Sequence, residues 1–131
     1  MKILVVDDNP SNLEILQTLL RATRVPVLTA SSGQAAFELA CRERPDLVLM
    51  DLAMPGEWDG LEATRRIKAC AETSHAVVIA LTAMVTRDDQ AQAFAAGCSE
   101  FLRKPYTRRE LLAVIGRFFP TVSPEIRPST H

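Results

Sequence analysis

Apolar residues in this chain follow two alternating rhythms. Lys2–Val6, Leu47–Met50 and Ala76–Leu81 are short, nearly unbroken apolar runs, each ending at a polar residue. Such runs suit strands buried on both faces of a parallel sheet. Val25–Ala30 and Ser99–Arg103 read as two further strands. The stretches between them carry apolar residues at helical spacing instead. Leu13, Leu16 and Leu20, helped by Ile15 and Leu19, give a helix over Ser11–Ala22 an apolar face. A helix over Gln34–Arg44 turns Ala36, Leu39 and Ala40 inward and is stopped by Pro45. Asp59 is placed as the N-cap of a helix over Gly60–Cys70. Gly97 closes a helix over Arg87–Ala96, and Thr107 caps a last one over Arg108–Phe119. Five strands alternate with five helices, which predicts an α/β fold: a parallel sheet, helices on both faces and right-handed crossovers.

The 131 residues make one domain, expected over 1–119, followed by a flexible Pro-rich tail or linker start over 120–131. A net charge of −1 argues against nucleic-acid binding, which would call for a basic face. Cys41, Cys70 and Cys98 are widely spaced and odd in number, so they are expected as reduced, buried or half-buried thiols. No signal peptide is recognisable, and no segment nears the ~20 apolar residues that cross a membrane. The expected setting is the cytoplasm.

The chemistry is concentrated just past the strands. Asp7 and Asp8 follow the first, Asp51 ends the third, Thr82 follows the fourth and Lys104 the fifth. In a parallel sheet these positions share one edge, where ligands bind in open α/β sheets. Taken singly, Asp7 and Asp8 suit a helix start, Asp51 and Thr82 a cap or loop, and Lys104 a solvated surface. Taken together, three carboxylates invite a hard divalent cation, and Mg²⁺ fits because it keeps waters for a phosphate group. Lys104 would then neutralise phosphoryl oxygens, Thr82 would donate a hydrogen bond to one, and Asp51 would be the nucleophile.

The motifs Val-Val-Asp7-Asp8-Asn, Asp51-Leu-Ala-Met-Pro55, Asp59-Gly60, Thr82-Ala83 and Lys104-Pro105 resemble the receiver domain of two-component response regulators, over about Lys2–Phe119. The resemblance implies a flavodoxin-like sheet of order 2-1-3-4-5. It implies that Asp51 accepts a phosphoryl group from a histidine kinase or histidine phosphotransfer protein, in a switch rather than an enzyme with a separate substrate. Asp8, Asp51 and the Ala53 backbone carbonyl would bind Mg²⁺ (or Mn²⁺), with Asp7 acting through water. Thr82 and Phe101 would be the switch pair, and the Lys104–Pro105 bond would be cis. The partner downstream would be a protein target or an output domain, with a homodimer possible on phosphorylation. The chain could equally be the isolated receiver of a hybrid kinase or larger regulator.

This sequence departs from the family pattern in two places. Gly56, Glu57 and Trp58 separate Pro55 from Asp59, one residue more than usual. Ala53 and Met84 stand where polar side chains often flank the phosphoryl group, and neither can orient a water by hydrogen bonding, so slow self-dephosphorylation is expected. Three rivals are weaker. A haloacid-dehalogenase-type phosphatase needs a general-acid aspartate where Ala53 stands, and a flavodoxin needs a Ser/Thr/Gly-rich loop after the first strand. A receiver-like module that only binds would not need the complete set Asp7, Asp8, Asp51, Thr82 and Lys104. His75 and His131 lack partners that would make either a phosphodonor. The apolar residues of the last helix, from Leu111 to Phe119, exceed one core-facing stripe; the core is favoured over an interface for them.

Overall fold

The computed structural model describes residues 1–83 and 86–121. The expected tail beyond Thr121 lies outside the described residues, as do Met84 and Val85. Five strands form one sheet: β1 (Ile3–Val6), β2 (Val27–Ala30), β3 (Leu47–Asp51), β4 (Val77–Thr82) and β5 (Glu100–Arg103). All pairings are parallel and the order is β2-β1-β3-β4-β5, the flavodoxin-like arrangement. The helices are α1 (Pro10–Leu20), α2 (Gly33–Glu43), α3 (Gly60–Ala69), α4 (Arg87–Ala96) and α5 (Arg108–Phe118).

Strand alternation divides the core in two. Leu4, Val6, Val48, Met50, Val78 and Ala80 point to the face covered by α2, α3 and α4. Ile3, Val5, Leu47, Leu49, Ile79 and Leu81 point to the face covered by α1 and α5. Every residue of β1 and β3 is buried, which is why these runs show no polar alternation. The helix starts follow the expected capping chemistry. Asp59 accepts from the Glu62 N–H, and Thr86 and Thr107 both form reciprocal capping boxes, with Asp89 and Glu110.

The differences from the sequence reading are local. α1 begins at Pro10 on an Asn9 cap, since proline is well suited to the first helical position. It tightens into a 3₁₀ turn over Arg21–Thr23, and β2 therefore starts at Val27 rather than Val25. Ile15 was expected to support the apolar face of α1 but is 55% exposed, because Leu16 and Leu20 occupy the inward positions. The α5 stripe resolves as core: Leu111, Leu112, Val114 and Ile115 are buried, and Phe118 and Phe119 pack partly against the same cluster.

Candidate functional site

The parallel register brings the strand ends together. Val6 pairs with Met50 across β1 and β3, so Asp7 and Asp51 come next on adjacent strands. Both fall on the α1/α5 face by alternation and both are buried, whereas Asp8 is exposed. Oxygens of the three carboxylates lie within 4.8 Å of one another. Backbone donors orient two of them: the Asn9 N–H reaches Asp7 Oδ1 at 2.9 Å, and the Ala53 N–H reaches Asp51 Oδ1 at 3.0 Å. Lys104, beyond the end of β5, places its Nζ 3.4 Å from Asp51 Oδ1 and 3.7 Å from Asp7 Oδ2. Its own N–H is tied to the Thr82 carbonyl at 2.8 Å, which links the ends of β4 and β5. The Lys104–Pro105 peptide is cis.

Burial raises the pKa of Asp51, opposed by the Ala53 N–H and the Lys104 ammonium and reinforced by the charge of Asp7. The cluster thus has more negative charge than one ammonium comfortably balances, and its donors are all oxygen. That is the donor set of a hard divalent cation. Asp7, Asp8 and Asp51 fit such an ion.

Thr82, also buried, points to the opposite face of the sheet from Asp51, as does Phe101. The Phe101 ring meets Phe94 of α4 edge-on, with centroids 6.0 Å apart, and Phe94 is 46% exposed. Ala53 is exposed beside the site. Met84 lies outside the described residues. His75 sits in an exposed turn remote from these groups.

The lengthened loop is held in place. Trp58 stacks under the Arg66 guanidinium at 4.3 Å and meets Phe37 edge-on at 5.9 Å. Its backbone crosses Gly33 so closely that a Cβ there would sit 2.5 Å from the Trp58 carbonyl oxygen. Gly60 is similarly constrained, since a Cβ would lie 2.3 Å from the Asp51 carbonyl. The start of α3 is therefore pressed directly onto the residue at the centre of the site. Tyr106 escaped the sequence reading. It lines a groove with Asp7, Lys104, Ile15 and Leu19, and burial together with the charges of Asp7 and Asp51 pushes its pKa up to about 12. Its position directly after Lys104-Pro105 was the available signal.

Residues 3–116 match the family described as response regulator receiver domain. The chain belongs to this family. The receiver is 40% identical over 104 residues to the response regulator PleD of Caulobacter vibrioides, covering 79% of this chain but 23% of PleD. It is 38% identical to the sensor protein GacS of Pseudomonas syringae, covering 87% of this chain and 13% of GacS. The chain thus spans only a small part of these two relatives. DivK of Brucella anthropi, a polar-differentiation response regulator, is matched nearly end to end: 32% identity over 92% of this chain and 91% of DivK. Among solved structures, the receiver domain of the sensor histidine kinase PA1611 of Pseudomonas aeruginosa has a magnesium ion coordinated in its active site cleft. It superposes with a TM-score of 0.81 at 36% identity, over 88% of this chain and 94% of that one. The chemotaxis protein CheY4 of Vibrio cholerae gives a TM-score of 0.83 at 26% identity, over 88% and 96%. Receiver domains bind Mg²⁺ and work with histidine kinases or phosphotransfer proteins and with output domains. The acidic cluster of this receiver is consistent with that metal, and among the described residues no helix is long and apolar enough to cross a membrane.

Proposed function

We propose that Asp51 is the phosphoacceptor of this receiver, and that Asp7, Asp8, Asp51 and the Ala53 carbonyl are its Mg²⁺-binding groups. One observation carries the reading: a buried carboxylate lies beside two others and within 3.4 Å of a lysine ammonium, at the carboxyl edge of the sheet. An Asp51 oxygen attacks the phosphorus of a phosphohistidine, the P–N bond breaks, and the imidazole leaves with the electron pair. Lys104 moves its contacts from carboxylate to phosphoryl oxygen, neutralising charge where it collects. The Thr82 hydroxyl donates to a second phosphoryl oxygen. Bound Mg²⁺ would supply charge neutralisation between the carboxylates and the incoming phosphoryl group.

The donor docks over the groove between α1 and the loop after β5. There exposed Ile15 and partly buried Leu19 and Tyr106 adjoin Asp7 and Lys104. An apolar surface continuous with the reacting groups fits a histidine-bearing helix of a kinase or phosphotransfer protein better than a small substrate. Once the phosphoryl group is in place it adds about −1.5 to −2 charges. Thr82 moves toward it, and the space it leaves favours an inward Phe101 ring. Having no hydroxyl, Phe101 acts through packing alone, and its exchange of partners with Phe94 alters the α4–β5 surface as a population shift. Neither an alanine at 53 nor a methionine at 84 has a side chain that can orient an attacking water by hydrogen bonding, so the phosphorylated form hydrolyses slowly, and Met84→Asn shortens its lifetime.

Incubation with acetyl phosphate and Mg²⁺, followed by intact-mass measurement, tests the reading. The receiver gains one phosphoryl group and Asp51→Asn gains none; an equal gain by Asp51→Asn overturns the assignment.

A further inference from the structure

Folding brings together two cysteines that are distant in sequence. Cys41 lies in the last turn of α2 and Cys70 is the C-cap of α3, on helices packed side by side over the same face of the sheet. Both residues are half-buried, so a small oxidant can reach them, whereas Cys98 is buried. Cys70 lies close enough to Cys41 to bear on the ionisation of its thiol. Cys70 Sγ donates to Glu72 Oε2 at 2.9 Å, which anchors this thiol in the turn after α3. Helices in this fold run antiparallel to the strands, so the two helix ends meet at the amino edge of the sheet, opposite Asp51. None of the receiver chemistry uses them.

We propose that Cys41 and Cys70 form a modification site, a dithiol that peroxide closes to an intramolecular disulfide joining α2 to α3. One sulfur takes an oxygen from hydrogen peroxide; the O–O bond breaks, the first water is released and a sulfenic acid remains. The second sulfur displaces that hydroxyl, forming the S–S bond and releasing the second water. The two electrons lost by the sulfurs reduce the peroxide. Burial, ahead of the neighbouring Cys70, raises the pKa of Cys41, so the dithiol reacts slowly at neutral pH and requires peroxide in excess. Cys98 is the internal control. Burial pushes its pKa up to about 11, and its sulfur faces the Thr64 hydroxyl at 4.0 Å rather than another thiol.

The experiment treats the native, metal-loaded receiver with hydrogen peroxide, blocks free thiols and measures intact mass. The thiol titre falls from three to one, the mass drops by two hydrogens, and the product stays monomeric on a non-reducing gel. Closing a loop of about 30 residues also raises the melting temperature by about 5 to 10 °C, reversed by dithiothreitol. Cys98→Ser retains the whole response, while Cys41→Ser and Cys70→Ser each abolish it. Acetyl phosphate labelling is unchanged by the bridge, so this result stands apart from the assignment of Asp51. A covalent dimer, oxygen adducts without hydrogen loss, or closure persisting in Cys41→Ser would each overturn the proposal, as would an unchanged thiol titre.

Discussion

Lys104 stands between two carboxylates, and replacing it with methionine should push two measurable properties in opposite directions. Its Nζ is 3.4 Å from Asp51 and 3.7 Å from Asp7, and its side chain is 29% exposed. At an effective dielectric of about 20, each contact has a gross Coulomb attraction of about 5 kcal/mol. Desolvation and the partial exposure of the ammonium offset most of that, leaving a net value of about 1 to 2 kcal/mol. A divalent cation must compete with this ammonium for the same oxygens. Lys104→Met should therefore bind Mg²⁺ about tenfold more tightly, the equivalent of about 1.4 kcal/mol. The phosphoryl group, however, loses a charge-assisted partner worth about 1.5 to 3 kcal/mol, so phosphorylation should slow by about 10- to 100-fold at saturating Mg²⁺. Trp58, the only tryptophan, reports metal binding by fluorescence, and intact mass reports the initial rate with acetyl phosphate. Weaker Mg²⁺ binding in Lys104→Met, or an unchanged phosphorylation rate, would refute a role for Lys104 as both counter-ion and phosphoryl partner.

Three further outcomes follow from the geometry. Gly60→Ala should destabilise the protein by about 1 to 3 kcal/mol and impair Mg²⁺ binding, because the added carbon meets the Asp51 backbone rather than a flexible side chain; denaturant titration and Trp58 fluorescence report the two effects separately. Burial raises the pKa of Asp51, so in metal-free protein the folded state holds that proton more tightly than the unfolded state. Its contribution to stability then falls as pH rises from the ordinary carboxylate range through the raised one, and Asp51→Asn should be the more stable protein at neutral pH in chelator, with the advantage gone in acid. Equal denaturation midpoints at both pH values would contradict this. Phe94→Ala removes the edge contact that holds the Phe101 ring against α4, and should speed hydrogen exchange across α4 in the unphosphorylated protein. Unchanged exchange would show that Phe94 does not restrain the ring.

Strand-end logic was enough to anticipate the convergence of Asp7, Asp8, Asp51 and Lys104, because a parallel sheet leaves the carboxyl ends of its strands on one edge. The capping residues Asp59 and Thr107 were readable for a similar reason: their hydrogen bonds are local. Side-chain exposure was harder to read. Ile15 fits the helical period as well as Leu16, and only the docking angle of α1 turns one outward and the other into the core. The anchoring of the extra loop residue depends on Trp58, Phe37, Arg66 and Gly33, drawn from three separate segments that no short-range pattern connects. The same holds for Cys41 and Cys70, which look unrelated in sequence and are carried by two helices packed side by side in the fold.

The most direct test locates the phosphoryl group chemically. After phosphorylation in Mg²⁺, borohydride reduces an aspartyl phosphate to homoserine, and peptide mapping identifies where it formed. The account predicts homoserine at position 51 and no product when Mg²⁺ is chelated; homoserine at Asp7 or Asp8, or no reduction product from protein that has gained a phosphoryl group, would contradict it.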